Sequence, residues 1–227
     1  MHLTLGFDAM TAYETARIRM VESQLRPNKV IDKRALGAFL EIERELFVPE
    51  HLKAVAYVDE DLPLGKGRHL MEPMVAARLL QSAAIERTDT VLIVGAGTGY
   101  EAALIAVLAR SVVALEEDLE LARRGRTALV EHSIASVAFV EGPLPQGHRA
   151  RAPYDVIFFG GAVAEIPAEI GSQLADGGRL VAVVNPGSGM GRATLLRRID
   201  GSLTRRILFD AATPLLPGFL PKPVFAF

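Results

Sequence analysis

A glycine at every second position, set between an apolar run and an alanine-rich stretch, constrains this chain more than any other feature. Val91-Leu92-Ile93-Val94 leads into Gly95-Ala96-Gly97-Thr98-Gly99-Tyr100, and Glu101-Ala102-Ala103-Leu104-Ile105-Ala106 follows. The order reads as strand, tight turn, helix. Glycine permits backbone angles that other residues resist, and it lets bare amides and a helix N-terminus approach a ligand. The spacing then selects the ligand. A dinucleotide fingerprint asks for G-x-G-x-x-G, and its last glycine would fall on Tyr100. The G-x-G-x-G spacing suits a nucleoside without a pyrophosphate, of which S-adenosylmethionine is the commonest.

Ser111-Val112-Val113-Ala114-Leu115-Glu116 reads as the next strand, ending in an acid 17 residues past Gly99. A carboxylate at that strand tip is placed to accept hydrogen bonds from both ribose hydroxyls. The alternative is an ordinary strand-turn-helix whose glutamate is merely solvated.

Composition narrows the classes. The chain has 227 residues, enough for one α/β domain with a substantial core and an N-terminal extension. Its formal charge is −2 with both signs interspersed, which gives no pointer to nucleic acid or an anionic membrane. It has no cysteine, which excludes disulfides, thiolate zinc sites and cysteine nucleophiles and favours a cytoplasmic home. The apolar stretch 90–109 is broken by three glycines and Glu101, so strand plus helix explains it better than a membrane span. The first ten residues lack the basic start and apolar centre of a signal peptide, and Met10 is an alternative start to Met1.

Along the chain, 11–25 reads as helix, with Ile18, Val21 and Leu25 on one face and Pro27-Asn28 as its stop. A second helix is predicted from Asp32, its N-cap, to Ile42. Residues 47–72 show little periodicity and read as a long irregular segment. Pro73 opens a helix. Strand and helix then alternate: 90–94, 101–109, 111–115, 118–130, 136–140, a strand 154–159 and a helix 167–174. Asp176-Gly177-Gly178 is expected to turn the chain into a strand 179–184. Such alternation argues for a parallel sheet covered on both faces. Residues 193–199 and 203–209, joined by Asp200-Gly201, carry a hairpin signature. A parallel sheet finished by an antiparallel hairpin is the arrangement of the class I S-adenosylmethionine-dependent methyltransferases.

At this point the chain resembles the protein-L-isoaspartate O-methyltransferases, from about residue 19 to 218. The likeness rests on Met20-Val21-Glu22-Ser23-Gln24-Leu25-Arg26, Phe47-Val48-Pro49, Ala56-Tyr57-Val58-Asp59 and Leu62-Pro63-Leu64-Gly65. It continues through the glycine turn to Pro153-Tyr154-Asp155-Val156-Ile157, Glu165-Ile166-Pro167, Gln173-Leu174 and Gly177-Gly178-Arg179-Leu180. The resemblance implies a Rossmann-like fold with a seven-stranded sheet. Residues 1–72 would form a helical extension and active-site connector, and 73–227 the cofactor domain. It implies S-adenosylmethionine held by Gly95, Ala96, Gly97, Thr98, Gly99 and Glu116, and a peptide substrate carrying isoaspartate. A monomer is favoured.

Two departures stand out. The family usually carries Gly-Gln-Thr-Ile-Ser-x-Pro before the Pro-initiated helix, with hydroxyls that line its active site. Here the segment is Gly67-Arg68-His69-Leu70-Met71-Glu72-Pro73, without either hydroxyl. The family's Gly-Asp-Gly near the adenine aligns with Gly142-Pro143-Leu144, so Glu141 beside Gly142 is the candidate substitute. The C-terminal Phe-Val-Pro-Leu is echoed in Thr213-Pro214-Leu215-Leu216.

The family reaction methylates an isoaspartyl carboxylate, and the ester closes to a succinimide that opens partly to aspartate. A carboxylate is already an ionised nucleophile at neutral pH and needs no general base. Placement then carries catalysis, with a contribution on the order of 7–11 kcal/mol. Arg68 or His69 is the expected cationic partner of the substrate carboxylate, within a segment formed by Gly67, Leu70, Met71, Glu72 and Pro73. Glu72 reads equally as an acid stabilised at a helix N-terminus. The remaining histidines, His2, His51, His132 and His148, show no metal-ligand spacing. Arginines 123, 124, 126, 197, 198, 205 and 206 read as solvated faces, and 185–191 as a flexible connector. Two alternatives stay open: the same fold methylating another nucleophile, and a non-catalytic homologue that binds the cofactor or a partner protein.

Overall fold

A computed structural model describes residues 11–187 and 189–220; His2, the two candidate start methionines and the first-ten-residue reading lie outside the described residues. Helix α1 (Ala12–Met20) begins at Thr11, whose hydroxyl accepts from the Glu14 amide at 3.1 Å, and continues as a wider turn over Val21–Leu25. Helix α2 (Lys33–Glu41) starts at Asp32, whose carboxylate accepts from the Arg34 and Ala35 amides. Both follow the expected boundaries.

The stretch expected to be irregular is organised instead. Two short 3-10 turns, Arg44–Phe47 and Glu50–Val55, lead into a hairpin of β1 (Leu62–Gly65) and β2 (Arg68–Leu70). Leu62 pairs with Leu70 and Pro63 with His69, across a turn at Lys66 and Gly67, both with positive φ. Strands this short give no readable alternation, and Pro63 reads against a strand except at an edge.

The elements α3 (Pro73–Ala83), β3 (Thr90–Val94), α4 (Tyr100–Leu108), β4 (Ser111–Glu116), α5 (Leu119–Glu131) and β5 (Val137–Glu141) follow in order. Next come β6 (Tyr154–Val163), α6 (Ala168–Gly171), β7 (Leu174–Val184), β8 (Gly191–Ile199) and β9 (Ser202–Ala211). The seven-stranded sheet runs β5-β4-β3-β6-β7-β8-β9, parallel through β7 and antiparallel over the last two strands. The expected α/β class therefore holds, hairpin included. Two boundaries differ. The Asp176-Gly177-Gly178 segment does not end a loop but bulges within β7, where the register with β6 shifts. Helix α6 occupies only Ala168–Gly171, shorter than the expected 167–174.

Strand β3 is buried on both faces: Val91 and Ile93 enter one core, Leu92 and Val94 the other. The first core also takes Met20, Leu36 and Phe39 from the N-terminal helices. The Tyr100 ring packs against Phe39 (6.1 Å between centroids) and Phe47 (5.5 Å), which fixes the connector against α4. Burying each such ring contributes roughly 1.5–3 kcal/mol. The strand order reverses between β4 and β6, on either side of β3, and ligands of open α/β sheets bind at the carboxyl ends of strands at such a switch point. The glycine turn lies there.

Candidate cofactor and active site

Gly95, Gly97 and Gly99 all take the left-handed backbone, with φ of 79°, 56° and 89°. An alanine there would be strained, which is the local reason for the alternating pattern. The amides of Gly95 and Ala96 both donate to the Leu115 carbonyl at 3.0 Å, tying the turn to the end of β4. Gly99 begins α4 with no side-chain cap, so nothing on its own residue covers the helix N-terminus. The Thr98 hydroxyl donates to the Phe47 carbonyl at 2.5 Å and anchors the turn to the connector. Gly160 is required for the same assembly: a Cβ on it would stand 2.2 Å from the Gly95 carbonyl oxygen.

Glu116 ends β4 fully buried. One oxygen, Oε2, accepts from the Gly97 amide at 2.6 Å. Oε1 accepts from the amides of Glu117 (3.0 Å) and Asp118 (3.1 Å) and from Arg68 Nη1 at 2.9 Å. Arg68 and Glu116 have side chains 2 % and 0 % exposed, a buried ion pair. The Arg68 Nε and Nη2 atoms are buried with no hydrogen-bond partner. Nη2 lies 3.2 Å from where a Gly95 Cβ would be, so the guanidinium covers the turn. Leu64 Cδ1 approaches Gly97 and the Leu216 methyls approach Gly95 in the same way, at 3.2, 2.8 and 2.9 Å from the respective Cβ positions. At the hairpin tip, Lys66 Nζ reaches Asp118 Oδ2 at 2.6 Å.

These residues fit a nucleoside: three left-handed glycines, an uncapped helix start and a buried carboxylate at the second strand tip. The Arg68 guanidinium stands over the same carboxylate and the same turn.

The remaining expected site residues separate. Neighbours in a strand face opposite ways, so Arg68 turns to the glycine turn while His69 looks to the other side of the hairpin. His69 is half-buried, with Nδ1 buried and unpaired. Gly67 forms the hairpin turn, and Leu70 and Met71 are buried in the larger core. The Met71 carbonyl accepts from Arg44 Nη2 at 2.8 Å, and Arg44 lies 4.9 Å over the Tyr100 ring. Pro73 occupies the first turn of α3. Glu72, just before it, is half-buried, and burial, then Asp61 and Asp59, push its carboxyl up to about 7.

Glu141 is paired with Arg126 of α5 at 2.9 Å, on an exposed face, although it sits opposite Glu116 in the β4–β5 ladder. The Gly142 amide donates to the Glu116 carbonyl at 3.4 Å. Pro143 precedes a 3-10 turn whose Leu144 is buried in the second core.

Three residues near the site had no role in the sequence reading. Asp61 accepts from the Glu72 amide at 3.0 Å and from the Thr213 hydroxyl at 2.9 Å. Asp59 accepts from the Met74 amide at 3.0 Å and closes the start of α3. Leu216 covers the glycine turn because 214–216 pairs with Ala162 of β6. Two acids ahead of a proline-initiated helix were the available signal for the first pair. Among the described residues no group of acids and histidines is placed to hold a metal ion, and no helix is long and apolar enough to cross a membrane. His132 stacks on Phe47, and Arg123 pairs with Glu120.

Comparison with known proteins gives concordant matches. The profile of the protein-L-isoaspartate(D-aspartate) O-methyltransferase family matches residues 16–211. A protein-L-isoaspartate O-methyltransferase of Methanoculleus marisnigri is 42 % identical over 170 residues, covering 75 % of this chain and 77 % of that one. A solved protein-L-isoaspartate O-methyltransferase superposes with a TM-score of 0.79 at 26 % identity, over 90 % of this chain and 67 % of that chain. A putative one from Plasmodium falciparum, in complex with S-adenosyl-L-homocysteine, shares the fold with a TM-score of 0.76 at 16 % identity, over 91 % and 99 %.

Proposed function

The chain belongs to the protein-L-isoaspartate(D-aspartate) O-methyltransferase family, and we propose how its own residues carry the reaction of that family. It is an S-adenosylmethionine-dependent methyltransferase of isoaspartyl carboxyl groups in peptides and proteins. The family match over 16–211 carries this reading, and the three left-handed glycines facing a buried Glu116 support it independently.

The bound cofactor supplies an electrophilic methyl group on a sulfonium. The protein's task is placement. In our reading Gly95, Ala96, Gly97, Thr98 and Gly99 present the backbone to the nucleoside, and Glu116 accepts from its ribose. Glu141 and Gly142, at the tip of the neighbouring strand, border the adenine side. Arg68 or His69, which the strand turns to opposite sides of the hairpin, takes the role of the family's hydroxyls and holds the substrate carboxylate, with the segment 67–73 closing over it. The substrate carboxylate is ionised at neutral pH, so these residues orient it rather than move a proton. In the same reading 1–72 serves as the extension that shapes the peptide side and 73–227 as the cofactor domain. A cytoplasmic home, which the cysteine-free composition favours, and a monomeric state complete the proposal.

His69 and Met71, in place of the two hydroxyls, favour one second reading: the same methyl transfer to a different nucleophile. Labelled S-adenosylmethionine, offered with the isoaspartyl and aspartyl forms of one peptide, separates the two. Base-labile label on the isoaspartyl form alone supports isoaspartyl transfer. Label on neither form supports the second reading.

A further inference from the structure

We propose that Arg68 is a built-in competitor for the cofactor: its guanidinium holds Glu116 in the cofactor-free protein, and binding exchanges that ion pair for the ribose hydroxyls. The inference rests on the assignment of Glu116 as the ribose-binding carboxylate.

Three observations carry it. First, a carboxylate offers about four acceptor directions, and Glu116 already accepts from Gly97, Glu117, Asp118 and Arg68. A diol needs acceptors, so one donor has to leave. Three are main-chain amides fixed by the turn and the start of α5. Arg68 is the one side chain of the four.

Second, the guanidinium is poorly satisfied where it stands. It is 2 % exposed, yet Nε and Nη2 have no partner. Buried unpaired donors are unfavourable, which lowers the cost of withdrawing this group. Nη2 also overlies Gly95, 3.2 Å from where its Cβ would be.

Third, the group rides on a short hairpin that Leu62 and Leu70 anchor in the core and whose tip lies at the surface. The β1–β2 hairpin has four and three residues in its strands, and its tip is tied to the end of β4 by Lys66–Asp118, with Lys66 76 % exposed. Leu64 of the same hairpin covers Gly97. Opening the hairpin would therefore remove Arg68 and Leu64 from the turn together. A closed fraction of nine-tenths would weaken apparent cofactor affinity roughly tenfold.

The test is calorimetric titration of S-adenosylhomocysteine into the full chain, with no turnover required. Arg68→Gln keeps a polar side chain and leaves Glu116 its three amide donors. It should bind about tenfold more tightly than wild type. Lys66→Ala, at the exposed turn, should tighten binding by a smaller factor, about two- to threefold, and it carries the test if Arg68→Gln fails to fold. Equal affinities, in wild type and whichever variant folds, would overturn the competitor while leaving the cofactor site standing. Weaker binding by Arg68→Gln would make Arg68 a cofactor ligand instead and also overturn it. Absence of binding in all forms would remove the cofactor assignment and the competitor together.

Discussion

Arg68 Nη1 lies 2.9 Å from Glu116 Oε1, and the pair joins two residues 48 positions apart, one on a short hairpin and one at the tip of a central strand. It links the segment expected to hold the substrate to the carboxylate expected to hold the cofactor. Both side chains are buried, so neither charge is solvated in place of the other.

Breaking such a pair from one side leaves an uncompensated charge. Glu116→Gln should lower unfolding free energy by about 3–5 kcal/mol in chemical denaturation. The double variant Arg68→Gln with Glu116→Gln should recover most of that loss. Additive losses would show that the two groups do not interact.

Close packing at the glycine turn makes a different prediction. Gly160→Ala places a methyl 2.2 Å from the Gly95 carbonyl oxygen and should cost about 3 kcal/mol or more, with loss of cofactor binding. Gly177→Ala meets nothing within 4 Å and has only its positive φ against it, so about 1–2 kcal/mol is expected. Thermal unfolding of the two variants compares them directly.

Glu101, fully buried at the start of α4, has its carboxyl pushed up to about 7 by burial, against the opposing pull of Arg44 and Arg68. The unfolded chain releases this proton near 4.5 while the folded protein keeps it. Stability from this group is therefore full below about 4.5 and is lost as pH rises through about 7. Glu101→Gln should remove that decline, gaining on wild type by on the order of 1–3 kcal/mol between about pH 5 and about pH 8. A constant difference across that range would contradict the assignment.

Exchange at Glu116 sets an order of binding. While Arg68 is held by Glu116 it is not available to a peptide carboxylate. An isoaspartyl peptide should bind about tenfold more tightly when S-adenosylhomocysteine is present than when it is absent. Equal binding in both conditions would place the peptide carboxylate on other residues, His69 first among them.

The backbone geometry of the glycine turn and the strand end at Glu116 were legible in the sequence because their determinants are local. Three alternating glycines specify three left-handed residues, and Glu116 follows from counting to the end of the next strand. The hairpin was not legible, since strands of four and three residues with a proline leave no period to read. The Arg68–Glu116 pair escaped for another reason: contacts 48 residues apart leave no mark in spacing. Without it, Arg68 and His69 look like two equivalent cations, whereas the strand turns them to opposite sides. The bulge in β7 shows the converse case, where turn chemistry at Asp176-Gly177-Gly178 was read correctly but sheet pairing carried the strand through it.

The most direct measurement follows the fate of an isoaspartyl peptide over many turnovers, separating isoaspartyl, succinimide and aspartyl forms by chromatography. With S-adenosylmethionine present, the isoaspartyl form should be lost and the aspartyl form should grow through the succinimide, with neither change without it. An isoaspartyl peptide left unchanged by protein that binds the cofactor would contradict isoaspartyl methyl transfer.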